Sequence, residues 1–394
     1  MALGGVSFLT DVATEMIYPL LPLFLSSVLG ANASFIGAIE GAAESTASLL
    51  KLASGWWSDK VRKRKPLVML GYGIATIARP FTAIAQSATQ VLLIRLTDRV
   101  GKGIRTAPRD ALLADSTDAE TRGRAFGFHA AMDNAGAVLG PLIAFLLLRQ
   151  FDFTLREVFW LAAIPGILAF IVLAVAVREV SHPKEAASSS TPHLSVSEKL
   201  GKRFWLYLGV VFLFTLGNST DAFLLLRANQ LGVAVALAPI LWAFLNLIKA
   251  ALGTWGGAMS DRLGRKPLII AGWMIYALVY FGFAQASEQW HAWALFASYA
   301  VFYALTEGTE KAFVADLVPK ERRGAAFGWF NLAIGLGALP ASIIFGAIWD
   351  RSGSSTAFHF GATLALLAAI GMTLVAPGRS GAIRTGPVVA GDGR

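Results

Sequence analysis

The chain contains the same unit twice. Residues 111–128 (ALLADSTDAETRGRAFGF) recur 201 residues later as residues 312–329 (AFVADLVPKERRGAAFGW), and nine of the eighteen positions are identical. A shorter pattern, Gly-x-x-Ser-Asp, begins at Gly55 and recurs at Gly257, 202 residues further on. A repeat that spans half of a chain predicts two halves with the same fold.

The hydropathy of the chain predicts a polytopic helical membrane protein. Of the 394 residues, 55% are hydrophobic and only 15% are charged, whereas soluble domains carry about 25% charged residues. The mean hydropathy is +0.59, and apolar stretches of about twenty residues recur from end to end. A transmembrane barrel would show shorter segments of alternating hydrophobicity instead.

We predict an all-α fold with twelve transmembrane helices. The predicted spans are 4–29, 35–57, 66–88, 90–114, 125–148, 157–177, 204–228, 235–258, 267–286, 290–313, 325–348 and 356–376. The predicted domains are an N-terminal six-helix bundle (1–177), a linker (178–203), a C-terminal six-helix bundle (204–376) and a disordered tail (377–394). Six is an even number, so both bundles enter the membrane with the same orientation. They are then related by a pseudo-twofold axis along the membrane normal.

The basic residues predict the orientation in an inner or plasma membrane. The net charge is +9, and the lysines and arginines cluster in the loops that follow the even-numbered spans. By the positive-inside rule, both termini and the linker are cytoplasmic. The positive charge is therefore explained by topology, and no nucleic-acid partner is predicted.

The composition argues against an enzyme. The chain has no cysteine, and its five histidines are scattered without metal-ligand spacing. No phosphate-binding loop and no set of nucleophile and base is evident. We therefore predict no metal site, no cofactor and no catalytic residues.

Two loops half a chain apart resemble the G-x-x-x-D-[RK]-x-G-[RK]-[RK] motif of the major facilitator superfamily. The second copy is GAMSDRLGRK (257–266); the first, GWWSDKVRKRK (55–65), has Arg62 where the family has glycine. The whole chain resembles this family of secondary transporters. The resemblance implies a monomer that works by alternating access. It also implies that the loops lock the cytoplasmic gate, through Gly55, Asp59, Gly257, Asp261 and Arg265. The alternative is a tight turn with no gating role.

A second resemblance lies in the fifth span. Gly136-x-x-x-Gly140-Pro141 is similar to part of a motif of the family's antiporters, most of which export drugs. The resemblance implies proton-coupled export. The alternative is that these small residues only allow two helices to approach closely.

The fourth span is unusually charged. Its ionisable residues are Arg95, Asp98, Arg99, Lys102, Arg105, Arg109 and Asp110. At 100° per residue they fall between about −80° and +60° from Arg95, and so share one helix face. Because a charge inside a membrane is costly unless it is paired or hydrated, this face must line a wet cavity or a polar interface. We predict a substrate cavity formed by Arg95, Asp98, Arg99, Lys102, Arg105 and Arg109.

Carboxylates in other spans are candidates for proton coupling. A carboxyl group in a partly dry cavity holds its proton more tightly than in water, so it can bind and release one near neutral pH. The candidates are Asp11, Glu15, Glu40, Glu44 and Asp133 in the first half. Candidates for the cavity in the second half are Asp221, Glu307, Glu310 and Lys311. The alternative is that all of these groups form structural ion pairs.

The leading hypothesis is a secondary transporter that exports a small organic solute, anionic or amphiphilic and drug-like, in exchange for protons. The predicted partners are this solute, protons and the lipid bilayer. One alternative is uptake or exchange of a small organic anion, and another is a metal exporter that uses carboxylates. From a different class, a membrane receptor or scaffold without transport activity remains open.

Overall fold

The computed structural model describes residues 1–61, 64–117, 122–177, 179, 200–319 and 322–375. All regular structure in these ranges is helical. The α-helices are α1 (Ala2–Ile17), α2 (Leu21–Ser27), α3 (Ala33–Val61), α4 (Lys65–Ala78), α5 (Ala88–Asp115), α6 (Arg122–Gln150), α7 (Leu155–Leu161), α8 (Ala163–Ala176), α9 (Lys202–Gly217), α10 (Ala222–Gln230), α11 (Ala238–Leu263), α12 (Arg265–Gln285), α13 (Gln289–Leu317) and α14 (Arg323–Leu374). The predicted linker lies mostly, and the predicted tail entirely, outside the described residues.

These helices make twelve passes, as predicted. The pairs α1–α2, α7–α8 and α9–α10 each form one interrupted pass, and the 3-10 turn Arg79–Ile84 completes the pass begun by α4. Helix α14 contains two passes, which meet at Gly353. Gly353 has a φ of 85°, a conformation that glycine adopts without the penalty a side chain would impose.

The helix contacts repeat in the two halves. In the first half, α1 packs on α6, α3 on α5, and α4 on α5. In the second half, α9 packs on α14, α11 on α13, and α12 on α13, which are the corresponding pairs. Between the halves, α3 packs on α14 and α6 on α11. The two similar bundles are therefore joined along two helix seams.

The apolar helices identify an integral membrane protein. Eight helical stretches in the described ranges are long and apolar enough to cross a membrane, and the last of them is the double pass α14. Helices α3, α5 and α13 are not among these stretches. Their apolar runs are interrupted by polar and ionisable residues, which point to the interior of the bundle.

Glycines set the distance between α4 and α5. A Cβ atom on Gly101 would lie 2.5 Å from the carbonyl oxygen of Gly71, and the reverse contact is equally short. Small residues at a membrane helix interface allow the backbones to approach closely. This close approach places Arg105, on the charged face of α5, directly beside Gly71 of α4.

The α4–α5 contact can be tested with Gly101→Ala. The added methyl group has no room against a backbone oxygen, so we expect a loss of about 1–3 kcal/mol and a lower melting temperature. Gly5→Ala is the matched control, because a Cβ at Gly5 would meet no heavy atom within 4 Å. Equal melting temperatures for the two variants would contradict the close packing of α4 on α5.

Candidate functional site

A cavity of about 210 Å³ lies between α1, α3, α5 and α11. Its lining residues are Asp11, Thr14, Glu15, Tyr18, Glu44, Arg79, Arg99, Lys102, Arg105 and Trp242. All except Trp242 come from the first half of the chain. The cavity therefore brings together part of the charged face of α5 with three of the five carboxylates predicted for proton coupling.

Two of the predicted cavity residues on α5 are held in buried ion pairs. Arg95 makes a bidentate contact with Glu40, at 2.9 and 2.5 Å. Asp98 accepts a hydrogen bond of 2.8 Å from Nε of Arg79. Such pairs satisfy both charges in the membrane interior. Arg95, Asp98 and Glu40 do not line the cavity; they fix α5 to α3 and to the pass formed by α4.

Within the described part of the chain, three bases on α5 (Arg99, Lys102 and Arg105) make no hydrogen bond to a carboxylate. Nε of Arg99 lies 4.0 Å from Asp98 and makes no hydrogen bond. Nη1 of Arg105 also has no hydrogen-bond partner, and its guanidinium lies 4.3 Å from the centre of the Tyr72 ring. Arg99 and Arg105 are each only 6% exposed, whereas Lys102 is exposed to the cavity. Buried N–H donors without acceptors are expensive, so Nε of Arg99 and Nη1 of Arg105 are unsatisfied donors beside the cavity.

Helix α1 contributes the carboxylates opposite α5. Asp11 and Glu15 are half-buried on the cavity wall, and Glu44 of α3 is exposed to it. Glu15 accepts a hydrogen bond of 2.7 Å from Nε1 of Trp242. The rings of Trp242 and Tyr18 lie 5.0 Å apart. The contact between Glu15 and Trp242 joins the two halves directly at the cavity.

The remaining acidic candidate of the first half lies elsewhere. Asp133 pairs with His129 on α6 at 3.4 Å, and neither residue lines the cavity. On α5, Arg109 pairs with its neighbour Asp110 at 2.9 Å. Arg109 is not among the residues that line the cavity, although it shares the helix face of Arg99 and Lys102.

The second half forms a second cavity, with fewer charged residues on its walls. A cavity of about 270 Å³ is lined by Lys249, Gly253, Tyr303, Ala304, Glu307, Gly308 and Lys311. Nζ of Lys249 lies 3.8 Å from the centre of the Tyr303 ring, a cation–π contact. Of the predicted residues, Glu307 and Lys311 line this cavity.

Two predicted residues of the second half are bound to aromatic side chains. Asp221 accepts hydrogen bonds from the hydroxyls of Tyr299 at 2.7 Å and Tyr303 at 3.1 Å. Glu310 accepts one from Nε1 of Trp273 at 2.8 Å. These bonds give the two half-buried carboxylates partners other than a base, and neither residue lines either of the two cavities described above.

Comparison with known proteins identifies the family. The sequence profile of the Major Facilitator Superfamily matches residues 3–342 and, in a second match, residues 228–390. The chain belongs to the major facilitator superfamily. An MFS-type transporter of Methanocaldococcus jannaschii, MJ1317, is 35% identical over 374 residues, which cover 93% of this chain and 92% of that protein.

Two further similarities are more limited. The multidrug resistance protein MdtH of Edwardsiella ictaluri is 32% identical over 116 residues, 29% of each chain. The crystal structure of the nucleoside transporter NupG superposes with a TM-score of 0.79, covering 95% of this chain and 98% of that chain. The sequence identity to NupG is only 15%, so this similarity concerns the fold alone.

The gating loops of this superfamily member are described only in part. The side chains of Gly55, Asp59, Gly257 and Asp261 lie outside the described residues, so their gating role stays a prediction. Arg265 is described: it pairs with Asp316 at 2.6 Å and donates to the carbonyl of Ala312. Arg265 thus ties the start of α12 to the end of α13, within the second half.

The glycines that resemble the antiporter motif pack α6 against α1. A Cβ on Gly136 would lie 2.7 Å from the carbonyl oxygen of Phe8, and one on Gly140 would lie 2.6 Å from that of Val12. Pro141 lies inside α6. The packing alternative is sufficient to explain both glycines, and it places α6 directly behind Asp11 and Glu15.

A carboxylate from the second half caps a helix of the first half. Asp350, on α14, accepts hydrogen bonds from the backbone N–H groups of Ala33 at 2.9 Å and Ser34 at 2.8 Å, and from the Ser34 hydroxyl at 2.5 Å. An acidic group at a helix N-terminus satisfies unpaired donors and the helix dipole. We call this contact of Asp350 with Ala33 and Ser34 the latch. It joins the two halves at the end of the bundle where α2 leads into α3.

Sequence reasoning missed three residues of this architecture. Trp242 and Asp350 were not candidates, because each acts on the opposite half of the chain. Arg79 is likewise absent from the residues predicted for the cavity, although it lines the wall. The sequence shows a proline directly after Tyr18, but it does not show the contact of Tyr18 with Trp242.

The latch can be tested with Asp350→Asn in a chain that carries spin labels at Val28→Cys and Arg351→Cys. The chain has no native cysteine, so only these two sites are labelled. We expect the distribution of distances between the two labels to broaden and to include longer distances. The reason is that the neutral amide of asparagine is a weaker acceptor for the three donors than the carboxylate. Asp152→Asn, at an exposed aspartate in the turn after α6, is the control. An unchanged distribution in Asp350→Asn would show that the latch does not hold the halves together.

Proposed function

We propose that this protein is a secondary active transporter that carries a small organic anion by alternating access. The anionic group, a carboxylate or a phosphate, binds to Arg99, Lys102 and Arg105. The observation that carries this proposal is the unequal pairing along α5. Arg95 and Asp98 are held in buried ion pairs, whereas the three bases at the cavity have no hydrogen-bonded carboxylate among the residues that the structure describes.

The unpaired bases argue for function rather than for structural support. A base kept inside a membrane without a partner destabilises the fold, and it is retained at sites where a ligand supplies the missing partner. Arg99 and Arg105 are held in place by the close approach of α4 and α5. Their N–H groups are therefore pre-organised for a planar anion, which favours binding.

The rest of the cavity favours a substrate with an apolar or aromatic body. Tyr18 and Trp242 both line the cavity, and their ring centres lie 5.0 Å apart. Aromatic walls of this kind bind flat apolar groups, while a few polar groups fix the orientation. An amphiphilic, drug-like anion fits the same description.

Proton coupling is part of the proposal. Asp11, Glu15 and Glu44 line the cavity and can carry the coupling proton. Export in exchange for protons is supported by the partial similarity to the multidrug resistance protein MdtH. The motif at Gly136 and Gly140 adds little to this, because packing against α1 is sufficient to explain it. Uptake or exchange of the anion therefore remains the second candidate.

The other candidates have less support. In the described ranges, no group of three or more His, Asp or Glu side chains is placed to hold a metal ion, so nothing favours a metal exporter. A receptor without transport activity would not need a cavity between two halves joined by separable contacts such as Glu15–Trp242.

Topology and assembly follow from the sequence and the family. We propose that the chain functions as a monomer in an inner or plasma membrane, with both termini in the cytoplasm. The support is the excess of lysine and arginine in alternate loops. In this orientation, the latch at Asp350 lies on the side away from the cytoplasm.

The proposal can be tested by flux of benzoate, an aromatic carboxylate, into liposomes that contain the purified protein. We expect Arg99→Gln and Lys102→Gln to raise the KM about 10- to 100-fold, because each removes a charge-assisted contact of about 1.5–3 kcal/mol. Arg99→Gln should melt at the same or a higher temperature, because it removes a buried charge without a partner.

Arg149→Gln is the control for this experiment, since Arg149 is exposed at the end of α6. If both cavity variants keep the wild-type KM while Arg99→Gln loses stability, the basic face is structural and the proposal is wrong. Complete absence of flux in the wild type, with bound benzoate, would favour the receptor.

A further inference from the structure

We infer that Lys249 forms a second anionic subsite, so that the solute carried by this protein has two acidic groups, one for each half of the chain. The inference rests on the transport function proposed above and names the class of its substrate. It concerns the second cavity, which has no role in the function as proposed so far.

Lys249 is a base without an acidic partner. It is half-buried on α11 and lines the second cavity. Its ammonium group lies 3.8 Å from the centre of the Tyr303 ring, and among the described residues it makes no hydrogen bond or ion pair with a carboxylate. A base without such a partner is costly in a membrane-spanning segment, and it is retained at sites where a ligand supplies the partner.

Asp221 does not serve as that acidic partner. Lys249 and Asp221 are within electrostatic range of each other, but both carboxylate oxygens of Asp221 accept hydrogen bonds from the hydroxyls of Tyr299 and Tyr303. The Lys249 ammonium group contacts the Tyr303 ring instead. A charge-assisted hydrogen bond to an anion is stronger than such a ring contact. An anion that reaches Lys249 therefore finds a donor that the described part of the chain leaves unused.

The other charged residues of the second cavity have neighbours of opposite charge. Glu307 and Lys311 both line it, and their spacing of four residues on α13 places them on one helix face. Lys311 is also within electrostatic range of Lys51 of the first half, which in turn is within range of Asp110. Lys311 thus has an acidic neighbour on its own helix face, which makes Lys249 the better candidate for the subsite.

Helix α11 connects the two cavities. Trp242 lines the first cavity, and Lys249 and Gly253 line the second. At 100° per residue these three positions fall within about 40° of one another, so one face of α11 lines both cavities. The seven-residue step from Trp242 to Lys249 corresponds to about 10 Å along the helix axis. The two cavities are therefore neighbours.

Glu15 indicates that Lys249 and the bases of α5 face a common space. Its carboxylate is within electrostatic range of Lys102, Arg99 and Lys249, while its hydrogen bond comes from Trp242. Bases from both halves therefore lie around one carboxylate where the halves meet. A solute with an acidic group at each end can reach the α5 bases with one end and Lys249 with the other.

Two linked acidic groups bind more tightly than one. Once the first group is bound, the second binds at a high effective concentration, provided that the body between them spans the two subsites. The expected substrate is therefore a dianion whose acidic groups lie at opposite ends of an apolar or aromatic body. A monoacid occupies only one of the two subsites.

The experiment compares monoacids and diacids of the same body, by calorimetry with the purified full-length protein at about pH 7.5, where all of the acids are ionised. The pairs, in order of length, are benzoate and terephthalate, 2-naphthoate and naphthalene-2,6-dicarboxylate, and biphenyl-4-carboxylate and biphenyl-4,4′-dicarboxylate. We expect at least one diacid to bind about tenfold more tightly than its monoacid. Two equivalent groups without a second subsite would give only about a twofold advantage.

Variants assign the second subsite. Lys249→Gln should reduce the advantage of the diacid to about twofold, the value for a single subsite, and Lys249→Arg should retain most of it because the charge is kept. Lys102→Gln should weaken the binding of monoacid and diacid alike. Lys202→Gln, at an exposed lysine at the start of α9, is the control and should keep the wild-type advantage. Melting temperatures verify that each variant is folded.

Three results would overturn the inference. The first is that no diacid in the series exceeds the advantage of about twofold. The second is that Lys249→Gln weakens monoacid and diacid equally, as loss of a purely structural contact with Tyr303 would. The third is that Lys311→Gln, and not Lys249→Gln, removes the advantage.

Flux of benzoate into liposomes separates this inference from the proposed function. If benzoate binds and is transported in a manner that depends on Lys102, while any of the three results above is found, the transport function stands and only the second subsite is rejected. If none of the acids shows saturable binding, the proposed function is rejected, and the second subsite with it.

Discussion

The structure depends on the need to compensate charge inside a membrane. Helix α5 brings a row of ionisable side chains into the bundle, and each must find a partner or face water. Two partners, Glu40 for Arg95 and Arg79 for Asp98, come from the adjacent passes. These pairs bind three passes of the first half together. The three other bases of the row, Arg99, Lys102 and Arg105, line the cavity.

The two halves share a fold but differ in the side chains at corresponding positions of the repeat. In the repeat register of 201 residues, Arg79 corresponds to Tyr280 and Lys102 to Tyr303. The second half thus satisfies its buried carboxylate, Asp221, with tyrosine hydroxyls rather than with bases. Duplication explains the common fold, and divergence explains why tyrosines of the second half stand where the first half has Arg79 and Lys102.

Two polar contacts join the halves, in addition to the seams that α3 forms with α14 and α6 with α11. The Trp242 indole reaches Glu15 at the cavity, and Asp350 caps α3 at one end of the bundle. Each is a small set of hydrogen bonds that can break without disturbing either bundle. A carrier that works by rocking its halves needs links of this kind. Because Glu15 belongs to both the cavity and the seam, charge in the cavity and closure of the halves are physically connected.

The sequence alone determined the number of passes, their pairing by duplication and the charged face of α5. These properties are local or periodic: hydropathy, a repeat register and the 3.6-residue helical turn are all readable along one chain. The sequence was also sufficient to indicate the family. Three of the carboxylates that it proposes for proton coupling, Asp11, Glu15 and Glu44, line the cavity. Only the tertiary structure decided which charges pair, because Arg95 and Arg99 have similar positions on one helix and differ only in what packs against them. It also removed Arg109 from the cavity and added Trp242 and Asp350, because contacts between distant halves leave no periodic signal.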